Sequence, residues 1–311
     1  MASRNHSTIT EFILLGLSDD PKIQALLFVL FLGIYLLTML GNLMMLLVIR
    51  TDSHLHTPMY FFLSHLSLVD LCFSSITMPK MLENLLSQKK TISVKGCLAQ
   101  IFFVLITGGT EICLLSVMAY DRYAAIYHPL LYDQMMSEQQ CLQLVWGSWG
   151  LGFLDTVINV PLAMKMDFCD TYIIPHYSCE LPSIFLLSCS DVSTNFLVML
   201  CSVIPHGLTT LLLIFFSYVC IIFTILNITS TSSRNKAFST CSSHLTAVIF
   251  YGSAFLRYFM PTSGSPLVLI FSVQYGVITP MLNPLIYSLK NKEVKAAVRR
   301  TLGKCLQCFQ W

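Results

Sequence analysis

Three carboxylates interrupt otherwise apolar stretches of the chain, at Asp70, Glu111 and Asp155. A carboxylate in apolar surroundings is costly and needs a partner or a function. Asp70 and Glu111 are expected at a similar depth in neighbouring helices, where two like charges cannot both ionise unpaired. They either share a proton in a hydrogen-bonded pair or bind a cation, and the residues alone leave both possibilities open. Asp155 is expected to face a polar cavity, and no role is assigned to it.

A charge pair and a proline mark two further places where chemistry could occur. Asp121 and Arg122 are neighbours near the end of the third apolar stretch, and opening of their ion pair would free a planar cationic fork for a partner's backbone carbonyls. Pro284 removes one helix hydrogen bond, and the amide of Asn283 can occupy the polar space that this leaves. An isolated Asn-Pro pair favours a static kink, so a moving kink is inferred only where other motifs accompany it.

The composition places these residues in a membrane. Hydrophobic residues make up 55% of the 311 residues and charged residues 11%, and the mean hydropathy is +0.70. A soluble surface cannot be built from such material. The net charge is +2 without a basic block, so nucleic acid is not expected as a partner. The chain has neither a GxSxG elbow nor an HExxH zinc motif, and enzyme activity is not expected.

Seven long apolar windows follow one another, at residues 24–49, 57–86, 98–127, 142–164, 195–226, 238–259 and 267–289. Each reaches the ~20 residues needed to cross ~30 Å of hydrocarbon. Because lipid offers backbone amides no partner, the spans must be helices. The predicted fold class is an all-α membrane protein, a seven-transmembrane helix bundle with a short amphipathic C-terminal helix. Residues 1–23 are assigned to an extracellular N-terminus, 24–289 to the bundle and 290–311 to a cytoplasmic tail.

The orientation follows from the basic residues. Ten of the 18 Lys and Arg residues fall on the side of the C-terminus and eight on the other, which places the C-terminus in the cytoplasm. The sequon at Asn5 agrees, because glycosylation requires a lumenal N-terminus. Residues 1–21 lack the features of a secretory signal, so the first helix is expected to act as its own targeting signal. In the tail, residues 290–302 alternate basic and apolar side chains, which suits a helix lying on anionic membrane lipids.

Four of the 12 cysteines fall on the outer side: Cys97 opens the third span, and Cys169, Cys179 and Cys189 lie in the second outer loop. An oxidising compartment favours two disulfides among them. Three pairings are possible, and the spacing does not separate them.

Several segments together resemble the motifs of vertebrate olfactory receptors, a family of rhodopsin-like G-protein-coupled receptors. They are MAYDRYAAI at 118–126 followed by HPL at 128–130, LHTPMYFFL at 55–63, KAFSTCSSHL at 236–245 and PMLNPLIYS at 280–288, with Gly41-Asn42 and Ser217-Tyr218. They sample the chain from the first span to the last. The overall pattern is similar to the larger, tetrapod-type class of the family.

The resemblance implies roles for particular residues. Those expected to act in activation and G-protein coupling are Asp121, Arg122, Tyr123, Tyr218, Asn283, Pro284 and Tyr287. Asp70, Glu111 and Asn283 would form a sodium site in the inactive receptor. The implied disulfides are Cys97–Cys179 and Cys169–Cys189. Residues 176–180 are similar to a stretch discussed as a metal site, but Cys179 is needed for the disulfide, and no metal is assigned.

Candidate ligand contacts form three stripes at helical spacing. They are Val104, Leu105, Gly108, Gly109 and Ile112; Ser202, Val203 and His206; and Tyr251, Ala254, Phe255 and Tyr258. Such stripes usually serve helix packing, but the resemblance places the odorant pocket at their depth, where the adjacent glycines would leave room. A mostly apolar cavity suits a small volatile molecule. With His206 as the one ionisable group expected there, a charged amine is disfavoured.

The resemblance implies an odorant receptor that activates a stimulatory, olfactory-type G protein and raises cyclic AMP, in the plasma membrane of olfactory cilia. No cofactor is expected apart from the sodium ion. A transporter or channel that uses Asp70 and Glu111 as an ion path is the alternative. Ion flux without a G protein would favour that alternative, although the chain shows no internal repeat of the kind that many transporters have.

Overall fold

The computed structural model describes residues 10–168, 172–227, 230–231, 234, 266–290 and 292–308. The predicted sixth span, 238–259, and the glycosylation site Asn5 lie outside the described residues.

The described part of the chain is mainly helical. In chain order the helices are α1 (Pro21–Thr51), α2 (Pro58–Leu86), α3 (Val94–Tyr127), α4 (Tyr132–Met135), α5 (Glu138–Ala163), α6 (Leu181–Phe185), α7 (Ser193–Leu226), α8 (Pro266–Val273), α9 (Thr279–Lys290) and α10 (Lys292–Cys308). A π-helical turn, Gln274–Ile278, joins α8 to α9. Six described segments are long and apolar enough to cross a membrane: α1, α2, α3, α5, α7 and Pro266–Ile286. The predicted helical membrane architecture is confirmed.

Polar side chains define where the long helices begin. The Asp20 carboxylate accepts a hydrogen bond from the backbone N–H of Lys22 at 2.8 Å, at the start of α1. The Ser93 hydroxyl accepts one from the backbone N–H of Gly96 at 3.0 Å, at the start of α3. Pro58 occupies the first position of α2, where its missing N–H has no intrahelical partner to lose. The first backbone N–H groups of these helices are thereby satisfied or absent.

Helix α3 lies at the centre and packs against α2, α5 and α7. Its contact with α5 is unusually close. A Cβ built on Gly152 of α5 would lie 2.5 Å from the carbonyl oxygen of Ile106 and 2.9 Å from the backbone nitrogen of Thr110. A Cβ built on Gly109 would lie 2.9 Å from the Cα of Gly152. The two helices therefore touch backbone to backbone, as small residues permit in membrane bundles.

A small sheet covers the end of the bundle that carries Cys97, called here the disulfide end. Strand β1 (Glu11–Leu14) pairs antiparallel with β2 (Thr91–Ser93) and parallel with β3 (Ile173–Ile174). Phe12 and Leu14 are almost completely buried beneath it. No sequence pattern predicted this sheet, because its strands are two to four residues long and come from distant parts of the chain.

Helix α10 packs against the bundle by its apolar side. Val294 and Ala297 are fully buried in the core cluster at the other end, called here the Arg122 end. The Arg300 guanidinium binds the Asp52 carboxylate between α1 and α2, with Nε 2.8 Å from Oδ2. This hydrogen bond lowers the pKa of Asp52 to about 2. The Arg300 side chain, nearly half of it exposed, thus also ties α10 to the start of the loop after α1, with Nε and one terminal nitrogen on the same oxygen of Asp52.

The contact between Gly152 and α3 predicts an asymmetric response to added methyl groups. Gly152→Ala is expected to lower the thermal midpoint of the detergent-solubilised protein by several degrees, because overpacking typically costs ~1–3 kcal/mol. Gly150→Ala, on the same helix with no atom within 4 Å of its added Cβ, is the matched control and is expected to be neutral. Equal midpoints for the two variants would contradict the close approach.

Candidate functional site

A cavity of about 120 Å³ opens among the helices near the disulfide end. For comparison, an apolar cavity of ~150 Å³ can hold benzene. The wall of the cavity in this protein includes seven of the predicted ligand contacts: Val104, Leu105, Gly108, Gly109, Ile112, Val203 and His206. Tyr251, Ala254, Phe255 and Tyr258 lie outside the described residues. The described stripes of α3 and α7 therefore converge on one cavity of the size of a small organic molecule.

Ser202, the remaining predicted contact, lies elsewhere. Its hydroxyl accepts a hydrogen bond from the Asn159 amide at 2.8 Å, which joins α7 to α5. It is not among the described residues that line the cavity. The sequence placed Ser202 with Val203 and His206, but on a helix Ser202 is turned ~100° from Val203 and ~40° from His206, enough for its hydroxyl to meet α5 instead.

The two adjacent glycines of α3 leave less room than the sequence suggested. The space beside Gly109 is occupied by the backbone of Gly152. A Cβ on Gly108 would lie 3.0 Å from the hydroxyl of Tyr275, which itself lines the cavity. Gly109 thus serves the contact between helices, and Gly108 makes space for a tyrosine.

Asp155 belongs to the cavity wall, and the sequence reasoning missed its partner. Its Oδ2 lies 2.7 Å from Nδ1 of His206. The Nε2 of that ring lies 2.6 Å from Sγ of Cys113. The expectation that His206 is the one ionisable group at this depth was wrong, because Asp155 and Glu180 also line the cavity. The apolar windows contain few side chains that can pair with a carboxylate. Because His206 is one of these few, the sequence offered a signal for its pairing with Asp155.

The second outer loop, which carries Cys179, covers part of the cavity at the disulfide end. Cys179 forms the predicted disulfide with Cys97, with a Cα–Cα distance of 5.4 Å. The backbone N–H of Cys179 also donates to the Gln100 side chain at 2.8 Å, and the Tyr177 hydroxyl donates to the carbonyl of Ser272 at 2.7 Å. These three contacts fix the loop to α3 and α8, so residues 177–182 form part of the cavity wall.

The second disulfide stays a prediction. Cys189 is disulfide-bonded, whereas Cys169, the partner expected for it, lies outside the described residues. His176, in the stretch considered for a metal, has its Nε2 3.4 Å from Glu180. Within the described ranges no group of three or more His, Cys, Asp and Glu side chains is arranged to hold a metal ion.

A buried polar cluster lies deeper in the bundle. Asp70 is fully buried, accepts a hydrogen bond from the Asn283 amide at 2.9 Å and interacts directly with the Glu111 carboxyl group. Tyr275 in the π-helical turn donates to Glu111 at 2.9 Å. The structure therefore brings Asp70, Glu111 and Asn283 together as the sequence predicted. The π turn was not foreseen, although such turns are frequent at functional sites.

The Oδ1 atoms of Asp70 and Asn42 are buried in this region without a hydrogen-bond donor among the described residues. The Asn42 amide nitrogen donates to the carbonyl of Pro280 at 3.0 Å. A Cβ on Gly41 would lie 2.9 Å from Cγ of Pro284, so the glycine lets α1 approach the proline kink. Carboxylate and amide oxygens without donors fit a hard cation or ordered water.

At the Arg122 end the predicted charge pair is present. The Asp121 carboxylate is fully buried and binds the Arg122 guanidinium, with Nε at 2.8 Å. The Tyr132 hydroxyl of α4 donates to the other oxygen of Asp121 at 2.8 Å. Burial and the carboxylate of Asp121 raise the pKa of Tyr132, so its hydroxyl keeps its proton. Tyr132 is a residue that sequence reasoning missed, because its contact spans a loop.

Two further tyrosines of the predicted switch, Tyr123 and Tyr218, lie near this pair and in the core. Tyr123 stacks on Tyr127, with ring centroids 5.2 Å apart, and its hydroxyl lies 3.3 Å from Nε2 of His128. Tyr218 is buried in the core cluster at the Arg122 end. The side chain of Tyr287 is not among those that the structure describes.

Known proteins are similar in sequence to this chain over nearly its whole length. The sequence profile described as olfactory receptor matches residues 31–305. Olfactory receptor 8S1 of Homo sapiens is 70% identical, over 95% of this chain and 82% of the relative. Olfactory receptor 5G9 of Mus musculus is 49% identical, over 98% of each chain. Olfactory receptor 8A1 of Homo sapiens is 49% identical, over 97% of this chain and 93% of the relative.

Proposed function

Because this chain belongs to the olfactory receptor family, whose members are G-protein-coupled receptors and not enzymes, we propose that its cavity binds a small volatile odorant and that binding activates a stimulatory, olfactory-type heterotrimeric G protein. Cyclic AMP would then rise. The observation that carries the proposal is the convergence of the α3 and α7 stripes on one cavity beside the disulfide-bound loop.

Helix α3 connects the cavity to the coupling surface. Ile112 lines the cavity, and Arg122 follows it by ten residues on the same helix, a rise of ~15 Å. An odorant can favour an active arrangement only if it binds that arrangement more tightly than the inactive one. When the odorant contacts α3, it would displace this stiff helix, and the displacement would reach the Asp121–Arg122 pair at the other end.

The pair itself acts as the switch in this proposal. In the structure, Asp121 holds the Arg122 guanidinium and also accepts a hydrogen bond from Tyr132. Release of the guanidinium would present a planar donor fork to backbone carbonyls of the G protein. Tyr123, Tyr218 and Tyr287, with the kink at Asn283 and Pro284, are proposed to complete the active arrangement around the guanidinium.

The proposed location is the plasma membrane of olfactory cilia, with the N-terminus outside and the C-terminus in the cytoplasm. The charge bias and the sequon at Asn5 support this orientation. Helix α10 would then lie at the inner leaflet, where basic side chains other than the clamped Arg300 meet anionic lipids.

Sodium is proposed to bind in the inactive receptor beside Asp70, Glu111 and Asn283. The donor-free oxygens of Asp70 and Asn42 fit such an ion, which would supply positive charge to two adjacent carboxyl groups. A cation that binds only the inactive arrangement opposes activation, because it shifts the equilibrium by its differential affinity.

Arg122→Ala tests the coupling. Odorant-dependent cyclic AMP, screened with a broad panel of volatile molecules, is expected to disappear in this variant because the guanidinium that engages the G protein is gone. An N-terminal tag read on intact cells counts the receptor at the surface and tests the proposed orientation. A full response from Arg122→Ala at equal surface level would refute the proposed coupling.

Tyr132→Phe tests the latch on Asp121. Loss of one hydrogen bond to a buried carboxylate is worth ~1.5–3 kcal/mol, and the variant is expected to raise basal cyclic AMP several-fold. Tyr127→Phe, whose exposed ring stacks on Tyr123 at the same end of α3, is the control and is expected to leave basal cyclic AMP unchanged. Unchanged basal activity in both variants would show that Tyr132 does not restrain the pair.

Sodium binding is tested on the purified receptor. Its thermal midpoint is expected to rise when sodium chloride replaces choline chloride at constant ionic strength, and Asp70→Asn is expected to abolish the difference. Asp133→Asn, an exposed carboxylate on α4, is the control. Identical midpoints of the unaltered receptor in both salts would favour a pair of carboxyl groups that share a proton without an ion.

A further inference from the structure

Among the described residues of the cavity wall, the tyrosine and threonine hydroxyls already donate within the protein. Thr77 donates to the carbonyl of Phe73 at 3.0 Å, Tyr177 to that of Ser272, and Tyr275 to Glu111. A donor that is already engaged inside the protein is costly to divert to a ligand.

Asp155 offers an acceptor in this wall. Among the described residues its carboxylate receives one hydrogen bond, at Oδ2 from His206. The side chain is about one tenth exposed and lines the cavity, so Oδ1 is available to a molecule inside. A hydroxyl proton of a ligand would meet it in a site where few other partners compete.

His206 controls the charge that this acceptor presents. A carboxylate buried in a membrane bundle needs a cation, and an imidazole that carries protons on both nitrogens supplies one. Both ring nitrogens are then used, Nδ1 toward Asp155 and Nε2 toward Cys113. The pair is neutral overall and has no N–H left for a ligand. Glu180 belongs to the loop, where its Oε1 lies 3.4 Å from Nε2 of His176.

We propose that Asp155 and His206 select neutral ligands that donate one hydrogen bond, namely small alcohols, and that Asp155 is the residue that determines this specificity. The proposal rests on the proposed odorant-binding function of the same cavity. A carboxylate ligand finds no N–H left in the pair to donate to it, and an ether or aldehyde has no proton to donate to Asp155. An ammonium ion finds the negative charge of Asp155 already neutralised by His206.

The unaltered receptor tests the ligand class directly. Hexan-1-ol is expected to act at a concentration roughly tenfold or more below that of its isomer methyl pentyl ether, which has the same atoms but no hydroxyl proton. Hexylammonium and hexanoate are expected to be weaker than the alcohol by a similar factor. Equal potency of alcohol and ether, or preference for the ammonium ion, would overturn the proposal without any variant.

His206→Gln tests the charge argument. Glutamine can still donate to Asp155 but leaves its negative charge unbalanced, so hexylammonium is expected to become roughly tenfold or more potent than in the unaltered receptor. The double variant Asp155→Asn/His206→Gln restores neutrality and is expected to lose this gain. Thr209→Ala, at an exposed position one turn away on α7 that is not among the described residues of the cavity wall, is the control and should behave as the unaltered receptor.

Two readouts keep the outcomes apart. Thermal stabilisation of the purified receptor by each compound measures occupancy without a G protein, and cyclic AMP measures coupling. If the compounds stabilise the receptor in the predicted order of potency but do not raise cyclic AMP, the proposed coupling is contradicted and the alcohol site is supported. If the His206→Gln receptor reaches the surface and raises cyclic AMP, but hexylammonium is no more potent on it than on the unaltered receptor, the alcohol site is contradicted and the proposed coupling is not.

Discussion

Lipid supplies no hydrogen-bond partner, so each polar side chain inside this bundle has to find one within the protein. The hydroxyls of Thr107 and Thr110 donate to carbonyls one turn earlier on α3. The carboxylates cannot do so and must reach another helix. Asp155 reaches His206 on α7, and Asp70 reaches Asn283 on α9. The carboxylates therefore fix how the helices are rotated against one another.

The same constraint concentrates the proposed functional groups along α3. Its middle carries Glu111 in the deep polar cluster, and its last turns carry the Asp121–Arg122 pair. Close contact with α5 at Gly109 and Gly152 makes these two helices one stiff unit. The contact between α3 and α4 includes the hydrogen bond from the Tyr132 hydroxyl to Asp121.

At the disulfide end the chain covers its cavity with segments that are far apart in sequence. Strand β1 is paired on both sides, and the loop that carries Cys179 is held by a disulfide and a hydrogen bond to Gln100. Between packed helices, the charge balance of Asp155 and His206 has more influence on a ligand than it would in water.

The sequence by itself determined the membrane helices, the family and the Asp121–Arg122 pair, because span length, apolar composition and neighbouring charges are local properties of the chain. It also identified the Cys97–Cys179 disulfide, through resemblance to the family rather than through spacing. The tertiary structure alone decided that Asp155 pairs with His206, that Ser202 turns toward Asn159 and that Tyr132 reaches Asp121. Those contacts depend on the rotation of each helix about its axis. That rotation is set by side chains on several helices at once, and a periodic pattern in one segment does not contain it.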